Sequence, residues 1–318
     1  MISLKRFSFF TLAIVIAISS AAYVSAQQPP LAIKPIRPSQ KASVMQTIGV
    51  TDITITYSRP PVKGRTIFAD APATMESRAK GEATLDNQND RKPGEPIVPY
   101  NHVWRAGANE ATLFQVTDDV LINGQPLKAG SYSMHTVPGK DEWTIIFNSD
   151  PGQWGSFSYD AAKDALRVKT KPQAASDNQE WLVYTFDPVT ENSATVNLRW
   201  EKVRVPFTVE VKDVKAAWRA HADALIAANP ANEVLPLQVA NTYARDKNWD
   251  EALKFVDQSI KVKETFRNLS AKANYLWLAG RKQEALTAAD VAIAKGRADK
   301  VDTANFEKRV ADMKAGKM

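Results

Sequence analysis

The sequence of 318 residues predicts an α+β multidomain protein, an antiparallel β-sandwich (all-β) domain followed by an α-helical hairpin-repeat domain. Three observations predict this fold class. Short runs rich in β-branched and aromatic residues fill 111–211, helical spacing begins after Lys212, and an internal repeat with a 33-residue offset follows. Because the sequence has neither strand–helix alternation nor a Gly-rich phosphate loop, it disfavours an α/β nucleotide-binding fold.

The N-terminus predicts export. Lys5 and Arg6 precede an apolar run over 7–18, and small residues then lead to Ala26, as in a secretory signal peptide. We expect cleavage after Ala26, so that residues 1–26 are the signal peptide and the mature protein is periplasmic or secreted. The alternative is a retained membrane anchor, which usually needs about 20 apolar residues. Since the run is shorter, a retained anchor is disfavoured. Cleavage would remove the run, so we expect no stable membrane span in the mature protein.

Composition excludes several classes of protein. Cysteine is absent, which excludes disulfides, thiolate chemistry and lipid attachment at an N-terminal cysteine. The formal charge of +6, from 41 basic and 35 acidic residues, is a mild excess without a dense Lys/Arg block. Such a pattern does not predict a nucleic-acid partner.

The predicted β-sandwich domain covers 43–211 and follows an extended leader, 27–42, rich in Pro and Gln. Alternation over 50–57 predicts a half-buried strand. The polar stretch 69–96 has no period and predicts an inserted loop. Turn residues such as Asn123-Gly124 separate the later strands. These strands are expected at 112–116, 120–122, 131–137, 143–147, 166–170, 181–186, 194–200 and 203–211.

The last part of the chain, 212–318, predicts a helical repeat domain. Residues 240–241 and 251–253 recur, 33 positions later, at 273–274 and 284–286. Further residues predict where the helices begin and end. Asp213 and Asn248 are expected N-caps, Asn229-Pro230 should stop the first helix, and Gly280 and Gly296 should mark helix ends.

This spacing resembles the tetratricopeptide repeat, in which small residues let two helices of a hairpin approach closely. The copies are degenerate, because the leading tryptophan and the terminal proline of the consensus are absent. The resemblance implies a scaffold that binds a protein partner. A small helical bundle that braces the β-domain is the alternative. The residues that fit are Ala240, Tyr243, Trp249 and Ala252 in one copy, and Ala273, Leu276 and Ala285 in the next.

Polar side chains crowd the segment 99–112, in a turn that enters a predicted strand. Crowding of this kind on a loop held by a rigid scaffold is typical of a binding site. Upstream arginines and lysines add cations, and arginine suits bidentate capture of carboxylate or phosphate. The segment is therefore a candidate binding site for a small anionic ligand or a sugar. The candidate binding residues are Arg59, Arg65, His102, Trp104, Arg105, Asn109, Glu110 and His135.

A purely structural role is the main alternative for this segment. Arg105 could tie down loop carbonyls, Gly107 could supply a positive φ, Asn109 could form an Asx turn, and Trp104 could lie in the core. With three histidines and no cysteine, the sequence contains no metal-binding motif, and we expect no metal and no cofactor.

Two further functions stay open. A hydrolase or carbohydrate-active enzyme would use Glu110 with His102 or His135 as acid and base, which requires that they converge. A sugar-binding module would expose aromatic rings from Trp143, Trp154 or Tyr159.

A second resemblance rests on short ordered runs along the predicted β-domain. The runs are Tyr57-Ser58-Arg59-Pro60, Lys63-Gly64-Arg65, Ile67-Phe68, Val98-Pro99-Tyr100, Trp104-Arg105, the run 107–112, Ile122-Asn123-Gly124 and the run 129–132. On these runs, residues 43–211 resemble the exported bacterial family of unknown function DUF2911. The resemblance implies a fold and export but no activity, because the family has none established. The chain departs from the family pattern at the insertion 69–96 and at Asn101-His102, where the family tends to place Gly and a charged residue.

Taken together, these observations predict an exported, non-catalytic binding or assembly protein whose helical repeats contact a protein partner. No recognisable catalytic constellation supports an enzyme.

Overall fold

A computed structural model describes residues 36–72, 84–86 and 92–317. Antiparallel sheets fill its first part and helices its second, which confirms the predicted fold class. The predicted signal peptide and its cleavage site lie outside the described residues. The strands are β1 (Gln40–Ile48), β2 (Thr51–Arg59), β3 (Phe68–Ala69), β4 (Val98–Pro99), β5 (Thr112–Val116), β6 (Val120–Ile122), β7 (Gln125–Leu127), β8 (Gly130–Val137), β9 (Trp143–Asn148), β10 (Asp164–Thr170), β11 (Gln173–Val189) and β12 (Ser193–Glu210).

Two antiparallel sheets enclose one apolar core. The larger sheet has the order β1-β2-β5-β8-β9-β10 and the smaller β11-β12-β6-β7, while β3 and β4 form a short parallel pair. Strand β2 shows how the pattern works: Ile53, Ile55 and Tyr57 are buried in the core, and Thr56 and Ser58 alternate onto the opposite face. We call this opposite side of the larger sheet the outer face.

Several strand predictions differ from the structure: the predicted strand 181–186, for example, is part of the longer strand β11. The expected separate strands 194–200 and 203–211 are one strand, β12, in which Glu201 adopts a left-handed φ of 54° near shifts in the β11 register. Strand β1 begins at Gln40, inside the predicted leader. Half of its residues stay exposed at a sheet edge, so its apolar alternation is too weak to predict a strand.

The predicted insertion contributes to the core. Thr84 bridges Val103, and Leu85 is buried among the sandwich side chains. The neighbouring Asp86 is buried as well. Residues 84–86 of the predicted insertion 69–96 are therefore part of the packed fold, although the segment has no apolar period.

The helices are α1 (Val214–Ala228), α2 (Val234–Arg245), α3 (Trp249–Val262), α4 (Phe266–Leu278), α5 (Lys282–Ala298) and α6 (Ala304–Lys314). Helices α2 and α3 form one hairpin, and α4 and α5 form the next. The predicted caps are confirmed, since the side chain of Asp213 accepts from Ala216 N and that of Asn248 from Glu251 N. Among the described residues, no helix is long and apolar enough to cross a membrane.

The prediction that Gly296 ends a helix is wrong, whereas Gly280 lies just past the end of α4 with a φ of +80°. Gly296 lies inside α5, where an added Cβ would come 2.4 Å from Thr303 Cγ2 and 2.9 Å from Phe266 Cδ2. The glycine is required there by close packing rather than by a turn.

Helix α1 joins the helical region to the sandwich. His221 Nε2 lies 2.6 Å from Asp118 Oδ1, and Val214 and Ala217 pack against the sandwich core. The side chain of His221 is partly exposed and bonds a carboxylate of the sandwich region.

Candidate functional site

The segment that the sequence singled out crosses one end of the sandwich and is bridged to three neighbours. Val103 bridges Thr84, Trp104 bridges Thr136 on β8, and Glu110 bridges Trp154. The backbone N–H and C=O of Trp104 both bond Thr136 at 2.8 Å. The segment is thus held as part of the fold, as a rigid site requires.

The expected conformations of this loop are partly wrong. Ala106 and Asn109 have left-handed φ values of 52° and 60°, and Gly107 does not. Gly107 is required by space, because an added Cβ would lie 2.9 Å from Thr112 Oγ1 and 3.2 Å from the Ser58 carbonyl oxygen. Asn109 makes no Asx turn among the described residues; its Nδ2 donates to Ser39 O at 3.1 Å.

Arg105 forms the central ion pair of the segment. Its Nη1 lies 2.8 Å from Asp86 Oδ1, and the Asp86 side chain is only 6% exposed. The other carboxylate oxygen accepts from the backbone N–H and the hydroxyl of Ser156, both at 2.7 Å. Asp86 thereby fixes the guanidinium, whose Nε–H has no acceptor among the described residues. Sequence reasoning missed Asp86 because it lies in the segment without periodicity.

A cleft of about 360 Å³ opens beside this ion pair. Three of its lining residues are cations, Lys63, Arg65 and Arg105, and none of the lining residues is acidic. We call it the cationic cleft. Its remaining wall is largely apolar, formed by Pro38, Pro60, Pro61, Leu85, Ile97, Trp104, Ala108 and Trp200.

Arg65 is anchored at the mouth of the cationic cleft by its own loop. Its Nε donates to Val62 O at 3.0 Å and its Nη2 to Pro61 O at 2.5 Å. A second cleft, of about 530 Å³, shares Arg65 and Ile97 with the first and adds Lys92. The acidic Glu95 also lines this second cleft, so only the cationic cleft combines several cations with no acidic lining residue.

Two other candidate residues have structural contacts. Arg59 Nε donates to Leu182 O at 2.8 Å and so ties the two sheets together. The indole of Trp104 donates to Gly107 O at 3.0 Å and stacks on Trp200 with ring centroids 5.8 Å apart. Trp104 is a core residue that also forms a wall of the cationic cleft.

The two candidate histidines are buried apart from the clefts. His102 Nδ1 lies 2.8 Å from Tyr100 O, and His135 Nε2 lies 3.2 Å from Ser133 Oγ. Burial lowers the pKa of His135 from 6.5 to about 4, with the charge of Arg105 adding to the effect and the carboxylates of Asp164 and Asp86 opposing it. At neutral pH the His135 ring is uncharged.

A layer of polar side chains surrounds His135 on the outer face. Gln153 Nε2 donates to Ser133 Oγ at 3.3 Å and to Asn148 Oδ1 at 3.0 Å. Asn148 Nδ2 in turn donates to Asp164 Oδ1 at 2.8 Å, and the Tyr159 hydroxyl donates to Asp164 Oδ2 at 2.7 Å. The pKa of Tyr159 is raised mainly by burial and further by the hydrogen bond to Asp164, so the hydroxyl keeps its proton. No motif in the sequence marks this layer, because its members are scattered over three strands and a loop.

Glu110 lies at a different place from Arg105. It lines a cleft of about 160 Å³ on the outer face, which neither His102 nor His135 lines. We call it the outer-face cleft; its polar lining residues are Lys41, Thr56, Ser58, Glu110 and Gln153. The expected convergence of Glu110 with a histidine is therefore not seen in this cleft.

The aromatic residues predicted to stack on a sugar also lie in different places. Trp143 is buried in the core, Tyr159 belongs to the polar layer, and Trp154 and Phe157 are about half exposed. Among the described residues, no group of three or more His, Cys, Asp or Glu side chains could hold a metal ion.

Residues 39–79 and 85–209 match the family model described as "Protein of unknown function (DUF2911)". No curated protein and no solved structure matches the chain. The family match spans both sheets, the Arg105–Asp86 ion pair and the lining residues of the three clefts except Pro38, and it stops before the helices. Because it covers more than half of the sequence, the chain belongs to the DUF2911 family.

Proposed function

We propose that this protein is a non-catalytic binding protein whose β-sandwich captures a small amphipathic anion in the cationic cleft. One observation carries the proposal: three cations and no acidic residue line a cleft whose other walls are mostly apolar. Ligand sites are commonly apolar with a few polar groups that fix orientation. A carboxylate or phosphate head would lie against the cations and an apolar body against the prolines and indoles.

The cations are arranged before any ligand arrives. Asp86 holds Arg105 through Nη1, and the buried Nε–H has no acceptor among the described residues. Backbone carbonyls hold Arg65. A site that is already ordered loses less entropy on binding. Lys63 adds a third charge from an exposed position at the rim.

Calorimetry of the full chain with three probes tests the proposal. Benzoate supplies both head and body, acetate only the head, and benzyl alcohol only the body. We expect benzoate to bind more tightly than the other two, and to weaken as salt rises. Absence of benzoate binding, or equal binding of benzyl alcohol, would contradict the proposal.

Charge variants locate the benzoate site. Lys63→Gln should weaken benzoate several-fold, and Arg105→Gln should weaken it by about tenfold or more, as for a charge-assisted hydrogen bond. Lys171→Gln is the matched control, because it removes one exposed lysine charge elsewhere on the sandwich. If the control weakens benzoate as much as Lys63→Gln does, the effect belongs to net charge and the cleft is not the site.

We propose in addition that the helices act as tetratricopeptide-like repeats and contact a protein partner. The support is an apolar groove of about 340 Å³ between α1 and α2, in which Leu225 is 52% exposed. Leu225→Glu should abolish co-purification of a cross-linked partner, and Val189→Glu, an exposed apolar site on the sandwich, should not.

Export stays a proposal that the N-terminal pattern supports. If the signal peptide is cleaved as expected, the protein recovered from the periplasm or medium begins at Gln27. An N-terminus at Met1 in a membrane fraction would favour a retained anchor.

A further inference from the structure

We infer that the edge of strand β1 is an interaction surface, on which a second copy of this chain adds its own β1 as an antiparallel strand. Strand β1 is the first strand of the larger sheet, and among the described residues only β2 pairs with it. A strand at a sheet edge leaves a row of backbone N–H and C=O groups for another strand. The inference does not depend on the anion site, because no residue of β1 lines the cationic cleft.

The other edge strands carry features that discourage pairing. Strand β10, at the opposite edge of the larger sheet, has a bulge between Asp164 and Leu166 and the charged residues Arg167 and Lys169. In the smaller sheet, β7 has three residues, one of them Pro126, and the register of β11 shifts repeatedly. Charges, prolines and bulges of this kind protect natural sheet edges from association.

Strand β1 lacks these features. Its nine residues pair with β2 without a register shift, and they include no proline and one charge, Lys41. Ala42 and Val44 pack against the core but are only partly buried, as expected where no further strand covers them. On the opposite face, Met45 is 57% exposed. A regular, partly apolar edge of this length is suited to strand addition.

The turn between β1 and β2 determines which backbone groups face the edge. Only two residues separate Ile48 from Thr51, so these two form the hydrogen-bonded closing pair of the hairpin. Bonding alternates along an antiparallel pair, so the odd-numbered residues in 41–47 direct their N–H and C=O groups away from β2. The carbonyl of Thr47 agrees with this assignment, since it accepts from Nε2 of Gln46, a bond that an incoming strand would replace.

A two-fold axis through Val44 gives the register of the pair. Lys41 then lies opposite Thr47 of the second copy, and Ser43 lies opposite Met45 of the second copy, so that edge-facing groups meet edge-facing groups. This register forms about eight backbone hydrogen bonds. Because the same strand is used on both sides, the contact closes at two copies.

Charge complementarity favours a second copy as the occupant. Thr47 lies opposite Asp52 on β2, and its hydroxyl donates to Asp52 Oδ1 at 2.6 Å. Neither Lys41 nor Asp52 forms an ion pair with another described residue. In the register above, Lys41 of one copy stands two strands from Asp52 of the other, about 10 Å between Cα atoms, which the two side chains together span. Charges unpaired in one chain therefore pair in the dimer.

Sedimentation equilibrium of the purified protein tests the inference. We expect the molar mass to double as the concentration rises from about 1 to about 300 µM. Ser43→Pro removes an edge-facing N–H without touching the ladder to β2, and Met45→Lys places a charge on the edge, so each should weaken the dimer about tenfold or more. Val189→Lys adds the same charge at an exposed apolar position of β11 and should leave self-association unchanged.

Disulfide trapping tests the register, because the chain has no cysteine of its own. In Val44→Cys the two introduced side chains face each other across the axis, with Cα atoms about 4.5 Å apart, and should form an intermolecular disulfide on mild oxidation. Ala42→Cys is the matched control, because its two copies would lie about 13 Å apart, too far for a disulfide.

A charge exchange tests the contact between the copies. Lys41→Glu should weaken the dimer several-fold, because it brings two carboxylates together, and Lys41→Glu combined with Asp52→Lys should restore it. Failure of the double variant to recover any self-association would contradict this register.

Three outcomes would overturn the inference. They are a monomer at every concentration, a dimer that persists in both Ser43→Pro and Met45→Lys, and a monomer that binds a synthetic peptide of residues 40–48, which would make the edge a site for a different strand. If Ser43→Pro fails to fold, Met45→Lys and Val44→Cys decide. Leu225→Glu separates this inference from the proposed helical contact, since a dimer lost in that variant would lie at the groove between α1 and α2 instead.

Discussion

The β-sandwich and the helical region fill their interiors with opposite kinds of side chain. In the sandwich, the core is built around Trp104, Trp143, Trp200 and Phe114, all almost completely buried. In the helices, the fully buried positions are mostly alanines: Ala240, Ala252, Ala273, Ala285, Ala289 and Ala292. Packed sheets stand about 10 Å apart and need large side chains to fill the space, whereas small residues let helices of a hairpin approach closely.

The difference also separates the regions by the chemistry they can hold. The rigid sandwich carries ionisable groups at its margins, including the Arg105–Asp86 pair and the neutral His135. The helical region holds fewer buried polar groups, of which Asn268 and Ser259 bond each other and nearby carbonyls. The candidate sites for small ligands therefore lie on the sandwich, whereas the helices provide the surface proposed to contact a protein partner.

Truncating a large sandwich side chain should have the largest effect on stability. Trp200→Ala removes a fully buried indole and should lower the free energy of unfolding by about 3–5 kcal/mol. Urea denaturation measures the loss. The matched control is Trp154→Ala, whose ring is half exposed and should cost about 1 kcal/mol or less. Equal losses would show that the sandwich core is not organised around buried indoles.

The buried histidine should make the sandwich sensitive to acid. The pKa of His135 is lowered from 6.5 to about 4, so the folded state resists protonation that the unfolded chain accepts. Its contribution to stability is complete above pH 6.5 and declines as the pH falls towards 4, by about 3 kcal/mol in total. His135→Gln should flatten this part of the curve of unfolding free energy against pH. In contrast, His221→Gln should retain it, and a flat wild-type curve would contradict the prediction.

Enlarging a helical alanine should have an intermediate effect. Ala273→Leu adds three carbons where the helices approach closely and should cost about 1–3 kcal/mol, measured by urea denaturation. Ala224→Leu, at an exposed position of α1, is the control and should cost little. If the buried position accepts leucine at no cost, the helices do not depend on small residues.

In both regions the sequence could predict the elements but not the close contacts between them. In both, the period of apolar residues predicted the elements, because burial on one face is a local pattern. The exception Gly296 shows the limit in the helices: its reason is the contact with Thr303 and Phe266, which no local pattern contains.

The candidate site was predicted as a segment but not as an arrangement. The polar run 99–112 was predicted as the region of the candidate site. Its residues, however, lie in three places: the cationic cleft, the outer-face cleft and the core. Asp86 and Gln153, which fix the two clefts, come from stretches without periodicity. Strand register decides these juxtapositions, and register depends on pairing between distant segments.

The smallest expected effect concerns the contact between the regions. Burial raises the pKa of Asp118, but hydrogen bonds from Thr51, His221 and Thr117 outweigh it and hold the pKa below 3.8. The carboxylate therefore contributes stability near neutral pH, and this contribution is lost as the pH falls below its unfolded value. Since His221 is 44% exposed, solvent screens the pair, and a double-mutant cycle of His221→Ala and Asp118→Asn should give about 0.2–1 kcal/mol.

A second cycle on the fully helical pair Lys215–Asp246 is the control, because both side chains are more exposed and should couple even less. If the His221–Asp118 coupling is no larger than that of the control, the ion pair adds nothing to the junction. The sandwich and the helices would then be joined by the apolar contacts of Val214 and Ala217 alone. In that case α1 would belong, by its packing, to the apolar core of the sandwich. The helical region with its alanine-rich interior would then start at α2.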